Sequence, residues 1–317
     1  MRLKSALRRG VAAAVIAGIV VSSGIPAYAD RWDIAKGDIT VKGASDGSGN
    51  YNEVKQGDNE FKKDEGETVI TGESDKNTVT IDTSEGNVDV TFDDLKIDVS
   101  GKTEVDGSGK TEVDSSGDSP VDAGKAAVTV QGDHDAAIEL DGDNELKSGG
   151  YNAGLEKNEH ESKGTLTIKD DEGKDGSLTA EGGFGGAGIG GGIESTGSSI
   201  IIRGGTIEAV GGSNAAGIGD GAGRASDDTD DPNPGDLYIC GDAEVTAKAG
   251  SQMTDAKAPA IGGSYGEVPT ENLSDDEHKV TGGTADPSER GRHRDGGDGL
   301  RLHLHPPSPS RTTTRTT

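Results

Sequence analysis

Residues 177–192 read SLTAEGGFGGAGIGGG and residues 206–221 read TIEAVGGSNAAGIGDG, two sixteen-residue blocks that align without a gap at an offset of 29. A looser copy starts at Glu244 (EVTAKAG), carries an insertion and closes on Ala260-Ile261-Gly262-Gly263. An earlier one spans residues 144–155, NELKSGGYNAGL. Self-similarity at a spacing of roughly 20–50 residues is the mark of a solenoid or array. The blocks therefore decide the architecture, although they name no ligand and no reaction.

Outward from the blocks the pattern holds. Val128 and Val130, Ile138 and Leu140, Leu166 and Ile168, Ile200 and Ile202, and Leu237 and Ile239 each form an i, i+2 apolar pair, the period of a strand with one buried face. Second pairs follow at Leu178 and Ala180, Ile207 and Ala209, and Val245 and Ala247, and each unit closes on Leu155, Ile189, Ile218 or Ile261. Three short strands with Gly-rich corners make one triangular turn of a parallel β-helix, expected to be right-handed as parallel crossovers are. Ile189 and Ile218 should then stack in one core column, with Leu155 below and Ile261 above. Gly182-Gly183 and Gly211-Gly212 are expected where the chain turns with positive φ. An antiparallel sandwich would also show many short strands, but it gives no reason for an ungapped copy.

Residues 126–265 are thus the Gly-rich repeat region. Residues 30–125 carry a degenerate version, with strands expected at residues 38–42 (DITVK), 67–71 (ETVIT), 77–82 (NTVTID) and 87–99 (NVDVTFDDLKIDV), read as N-terminal turns of the same helix. A small duplication, GKTEVD at 101–106 and again at 109–114, reads as an exposed loop. Helical periodicity with caps is absent.

Residues 1–29 have the three parts of a secretory signal: Arg2, Lys4, Arg8 and Arg9, an apolar run over 11–21, and Ala27-Tyr28-Ala29 as a cleavage site. The apolar run is well short of the ~20 residues of a membrane span, so no span is expected after cleavage. Loss of four basic residues takes the formal charge from −27 to −31. Nucleic acid and anionic lipid are poor partners for such a chain, whereas cations and a cation-rich wall or matrix suit it; the charge also serves solubility alone. Low apolar content, 29%, would suggest disorder, but the alternating β-branched runs and the narrow core of a solenoid account for it. Cys240 stands alone in an apolar run (LYIC), a setting for a small inert thiol.

LTIKDDEGKDGSLTAEGGFGGAGIGGG followed by IIIRGGTIEAVGGSNAAGIGDG resembles the Gly-rich repeats of secreted, surface-associated proteins of Gram-positive bacteria, of the kind labelled carbohydrate-binding domain-containing. NVDVTFDDLKID and VTVQGDHDAAIELDGDNEL look like the degenerate turns that precede such repeats, so the resemblance covers roughly residues 38–263. It implies a right-handed β-helix and export.

The search for chemistry is less productive. No His lies in a Gly-His-Gly setting of the pectin-hydrolase kind, and His134 and His160 sit in acidic turns. Asp141, Asp143 and Glu145 begin like a calcium loop, yet Leu146 stands where an EF-hand has Gly; calcium is the one cofactor suggested. The acidic insertion DDTDDP at 227–232 reads as a solvated excursion. The Gly-rich blocks lack a Walker Lys and a following helix, which argues against a nucleotide. Sugar binding uses exposed aromatic faces: Tyr151, Phe184 and Ser213 each follow a Gly-Gly pair and, with Asn152 and Asn214 beside them, would line one corner as a strip for a glycan. The alternative is that Tyr151 and Phe184 seal the corner against each other.

Beyond a terminal segment at 266–283, residues 284–317 carry six Arg and no Lys, while residues 30–283 use Arg only at Arg31, Arg203 and Arg224. A basic Pro/Ser/Thr tail reads as disordered, and the switch in basic-residue usage is what a shifted reading frame would produce. The expectation is an all-β, right-handed parallel β-helix with a disordered tail, secreted and possessing no enzymatic activity, acting as an adhesin or structural module toward a glycan, cell-wall or host-surface polymer. A carbohydrate-binding module is the alternative, and a polysaccharide lyase or hydrolase the third.

Overall fold

The computed structural model describes residues 30–46, 49–64, 66–101, 124–171, 175–197, 199–223, 236–251 and 258–262, with the backbone of 277–281 and 301–304. The expected signal at 1–29, residues 102–123 of the duplicated loop, the acidic insertion at 227–231 and most of the tail lie outside the described residues. Among the described residues the chain is all-β. Its one helical turn is the 3-10 segment Ile34–Lys36, and no helix is long and apolar enough to cross a membrane.

The strands pair in parallel along three columns. Val88–Asp98, Ala136–Asp141, Leu166–Lys169, Ile200–Ile202 and Asp236–Ile239 form the first. The end of Val88–Asp98, then Asp143–Lys147, Ser177–Glu181, Thr206–Val210 and Glu244–Lys248 form the second. The third runs through Ile39–Asp46, Val79–Asp82, Val128–Gln131, Leu155–Glu156, Ile189–Gly190, Ile218–Gly219 and Ile261–Gly262. Each repeat supplies one strand to each column, so a side chain at a given place meets its own counterpart one rung away.

The core follows directly. Ile39, Val79, Val128, Leu155, Ile189, Ile218 and Ile261 are successive partners in the third column, each at most 3% exposed. The expected order, Leu155 then Ile189 then Ile218 then Ile261, is the observed one. Val90, Ile138, Ile168, Ile202 and Ile239 repeat the arrangement in the first column. One such side chain contributes about 1.5–3 kcal/mol on burial, and the buried residues from Ile34 to Ile261 form one continuous cluster.

Two expectations are corrected. Gly182, Gly183, Gly211 and Gly212 are not among the positive-φ residues. They are glycine because adjacent rungs touch there: a Cβ on Gly183 would lie 1.9 Å from the Gly149 carbonyl oxygen, and one on Gly212 1.6 Å from that of Gly183. The N-terminal part is not parallel throughout, since Ile39–Asp46, Gly49–Gln56 and Lys62–Asp64 form an antiparallel ribbon; the last two were not expected from the sequence. In the tail, Arg301–Leu304 pairs in parallel with Asp236–Ile239, because an alternating Arg-Leu-His-Leu run can be templated by an open sheet edge. Glu277–Thr281 pairs antiparallel with Glu244–Lys248.

One core position breaks the apolar rule. Asn144 is the register partner of Leu178, above which stand Ile207 and Val245, and it is 2% exposed. Its cause lies in Val88–Asp98, which serves two columns without interruption and bends at Asp94, where φ is 52°. The bend shifts the register against Thr68–Ser74. The Leu95 N–H then donates to Asn144 Oδ1 at 2.9 Å, while Asn144 Nδ2 donates to the carbonyls of Asp141 at 3.2 Å and Ser177 at 3.0 Å. Asn144→Leu, which would match the repeat, is expected to destabilise the fold by about 1–3 kcal/mol by leaving a buried N–H unpaired. Urea unfolding of the variant beside Ile218→Ala, expected to cost about 2–5 kcal/mol, measures it; an Asn144→Leu midpoint at or above that of the parent would contradict this account.

Candidate functional site

At the corner following the second column, Tyr151 and Phe184 meet edge to face, with centroids 6.1 Å apart and planes at 75°. Both are half-buried, and the Tyr151 amide donates to the Phe184 carbonyl at 2.7 Å. Ser213 does not extend this pair as a third equivalent residue. Tyr151 has φ 72°, Gly185 77° and Asn214 60°, so Tyr151 holds the place that Gly185 and Asn214 hold in the next two copies. The two copies run without a gap from Lys147 on Glu181 to Leu155 on Ile189, and the Gly-Gly pair of the first copy sits one place later. Asn152 turns inward on its own corner, with Nδ2 donating to the Gly150 carbonyl at 2.7 Å, and Ser213 Oγ is 3.0 Å from Ser251 Oγ. The two rings are thus in contact with each other at this corner.

Asp141 and Asp143 flank Gly142 at the corner between the first two columns. Asp143 accepts from Ser177 Oγ at 3.0 Å, and Glu145 is ion-paired with Lys147 at 2.8 Å. Burial, and then Asp93, Asp175 and Asp94, push the Asp141 carboxyl above its ordinary range. Among the described residues no group of three or more His, Cys, Asp or Glu is placed to hold a metal. The three residues of the suggested calcium loop are thus not gathered into a ligand set. Cys240 is buried and its thiol is pushed up by burial, the setting of an inert thiol. His134 Nδ1 lies 2.7 Å from the Thr83 carbonyl.

Sequence reasoning missed a groove of about 630 Å³. Its floor is the outward face of the first column, where Thr91, Glu139 and Lys169 occupy successive rungs. Its wall is the antiparallel ribbon, which presents Asn50, Tyr51 and Asn52, and Glu67, Asn87, Asp89 and Asp171 complete it. A buried chain of hydrogen bonds pins the ribbon: Trp32 Nε1 and Thr68 Oγ1 donate to Asp64 Oδ2 at 3.1 and 2.9 Å, and Asn52 Nδ2 donates to Thr68 Oγ1 at 2.9 Å and to the Asp89 carbonyl at 2.6 Å. Burial raises the Asp64 carboxyl above its usual range, against the hydrogen bonds from Trp32 and Thr68. The groove itself is acidic. Thr91 donates to Glu67; Glu139, 6% exposed, accepts from the Asp171 amide at 2.7 Å and faces Lys169 at 3.2 Å. Asp171 also accepts from Arg203 at 2.6 Å, and Lys63 lies 4.1 Å from the Tyr51 ring centroid. Alternation shows that Thr91, Glu139 and Lys169 point outward; the ribbon opposite them carries no repeat by which to place it.

Two further buried charges escaped the sequence. Glu156 stands where the next copies have Gly190, Gly219 and Gly262, and Gly192 leaves it room, since a Cβ there would lie 2.7 Å from Glu156 Oε2. Burial pushes its carboxyl up to about 7, although it accepts from the Ala153 amide at 3.0 Å. Lys157, fully buried, donates to the Ser162 carbonyl at 3.3 Å and is pushed down to about 8 by burial, against the attraction of Asp135.

A carboxyl raised in the folded state favours folding most below its unfolded value of 4.5 and loses that advantage as pH climbs to about 7. Lys157 has the opposite window, its cost being full below about 8 and relieved toward 10.5. Glu156→Gln is expected to remove a decline in stability of about 3 kcal/mol between pH 4.5 and 7 while leaving the rise above pH 8 in place. Chemical unfolding across pH 4–10 checks this, and an unchanged slope below pH 7 would refute it. In comparisons with known proteins, no family model, no curated protein and no solved structure matches this chain.

Proposed function

We propose that the chain is a secreted, bacterial surface-associated module built as a right-handed parallel β-helix, acting without enzymatic activity as an adhesin or structural interaction element. The observation that carries this reading is the in-register repetition of one three-strand unit, with Ile189 and Ile218 directly stacked and Gly corners between. A stack of this kind draws stiffness from nearest-neighbour contacts and spends its outer face on interaction. A formal charge of −27 favours cation-bearing wall or matrix polymers over nucleic acid and nucleotides. The resemblance of the repeats to exported Gram-positive proteins supports secretion.

The second reading, a carbohydrate-binding module, is favoured by the groove beside Tyr51 rather than by the Tyr151–Phe184 corner, whose rings face each other. In that groove Lys169 is ion-paired with Glu139 at 3.2 Å and with Asp171 at 3.8 Å. Incubating the full chain with a glycan array, bacterial wall fractions and host matrix, with calcium and with chelator, tests both. Retention on at least one surface polymer is expected, independent of calcium and without release of reducing ends or unsaturated sugars. Catalytic release, or retention on none of the three, would overturn the proposal.

A further inference from the structure

We infer that the groove between the antiparallel ribbon and the first column binds a short oligosaccharide carrying free amino groups, a chain of glucosamine type. The inference rests on the reading of the chain as an interaction module and names the ligand class of one site on it. Charge is the first argument. Glu67, Asp89, Glu139 and Asp171 line the groove with Lys169, whose ammonium is shared between Glu139 and Asp171; Arg203 pairs with Asp171 from outside the groove, which leaves four carboxylates against two cations. Carboxylates in excess of their cations attract an ammonium-bearing ligand and repel a uronate, phosphate or sulfate chain, for which burial among like charges is costly.

Hydrogen-bonding capacity is the second argument. Amides and carboxylates both offer two polar atoms in a plane, so each can take a pair of neighbouring hydroxyls, and a sugar hydroxyl both donates and accepts. Asn50 supplies such an amide, while Asn52 offers its Oδ1 and Asn87 its Nδ2, since Asn52 Nδ2 already donates to Thr68 and Asp89 and Asn87 Oδ1 accepts from the Asp135 amide. A peptide would want apolar recesses for its side chains, and this lining is polar apart from Tyr51 and the edge of Val90. Size and rigidity agree. About 630 Å³ lies within the ~300–1,000 Å³ of small-ligand sites. The Asp64, Thr68 and Asn52 hydrogen bonds hold the ribbon in place before any ligand arrives, which lowers the ordering cost of binding.

Calorimetric titration of the full chain with a glucosamine hexamer, the N-acetylated hexamer and a galacturonate oligomer tests the assignment. Binding of the free-amine hexamer is expected, with about tenfold or greater loss on N-acetylation and no binding of the galacturonate, because the charge-assisted contacts are gone. Glu67→Gln combined with Asp171→Asn should weaken the amine chain about tenfold. Asp58→Asn combined with Glu60→Gln, which removes the same charge from an exposed turn outside the groove, should change it less than about twofold, as distant surface charges are screened. Tyr151→Ala should leave binding unchanged. Thermal midpoints of both double variants within about 2 °C of the parent would show that the fold persists. Equal weakening by the two double variants would reduce the effect to general acidic attraction and overturn the site. So would equal binding of the N-acetylated chain, or no binding of the amine chain. Retention on a surface polymer in the preceding experiment would still leave the module reading standing, so the two failures are distinguishable.

Discussion

Close approach of backbone to backbone at the corner after the second column governs the rest of the molecule. Rungs there stack with no room for a side chain: a Cβ on Gly183, Gly212 or Gly250 would lie 1.9, 1.6 and 1.6 Å from the carbonyl oxygen of Gly149, Gly183 and Gly212. Such contacts cannot be relieved by a rotamer change, because the obstructing atom is main chain. They fix which residue of one copy lies over which residue of the next, and so place Ile218 on Ile189 and Ala209 on Ala180. Small residues at the corners and branched residues in the strands are therefore two consequences of one geometry.

Three of the buried polar residues mark places where a copy departs from the others. Asn144 sits beside the bend at Asp94, where one strand serves two columns and a ladder N–H would otherwise be orphaned. Glu156 and Lys157 occupy the first copy of the third-column strand, before the glycines of the later copies take over. Asn144 is fully engaged by backbone and strengthens its surroundings. The two charges are held at a cost, visible in a carboxyl raised to about 7 and an ammonium lowered to about 8. Burial disfavours the charged form of either group, so these adjacent residues shift in opposite directions.

The repeat made the columns legible before any coordinates. An ungapped copy fixes relative register, so the order Leu155, Ile189, Ile218, Ile261 could be read from sequence alone. The degenerate strands expected at 38–42, 67–71, 77–82 and 87–99 were legible as strands through their period of two, but not in their partners, and the first two run on to Asp46 and Ser74. Nothing in the alternation of GNYNEVKQ distinguishes an antiparallel neighbour from a parallel one. The corner residues were legible in place and not in cause: glycine after a strand suggests a turn through positive φ, whereas the constraint here comes from the rung above. Tyr151 does not align with Phe184 because its Gly-Gly pair sits one place later in an otherwise ungapped copy: Lys147 pairs with Glu181 and Leu155 with Ile189, both at an offset of 34, which puts Gly150 on Phe184 and Tyr151 on Gly185, as the φ values of Tyr151, Gly185 and Asn214 show.

The same contrast explains where a binding groove can arise on this chain. Along the repeated rungs the outward face is a ladder of side chains at a spacing of about 4.8 Å. Concavity needs an element that leaves the stack, and the antiparallel ribbon Gly49–Gln56 is such an element. It lies beside the rungs that carry Thr91, Glu139 and Lys169, so the repeated part supplies a rigid floor and the irregular part supplies the wall. Anchoring falls to buried groups, Asp64, Thr68 and Asn52, leaving the outer positions of the ribbon unconstrained by the core. On a scaffold whose interior admits almost no variation, this concave polar surface arises at the boundary where the repeat gives way to the ribbon.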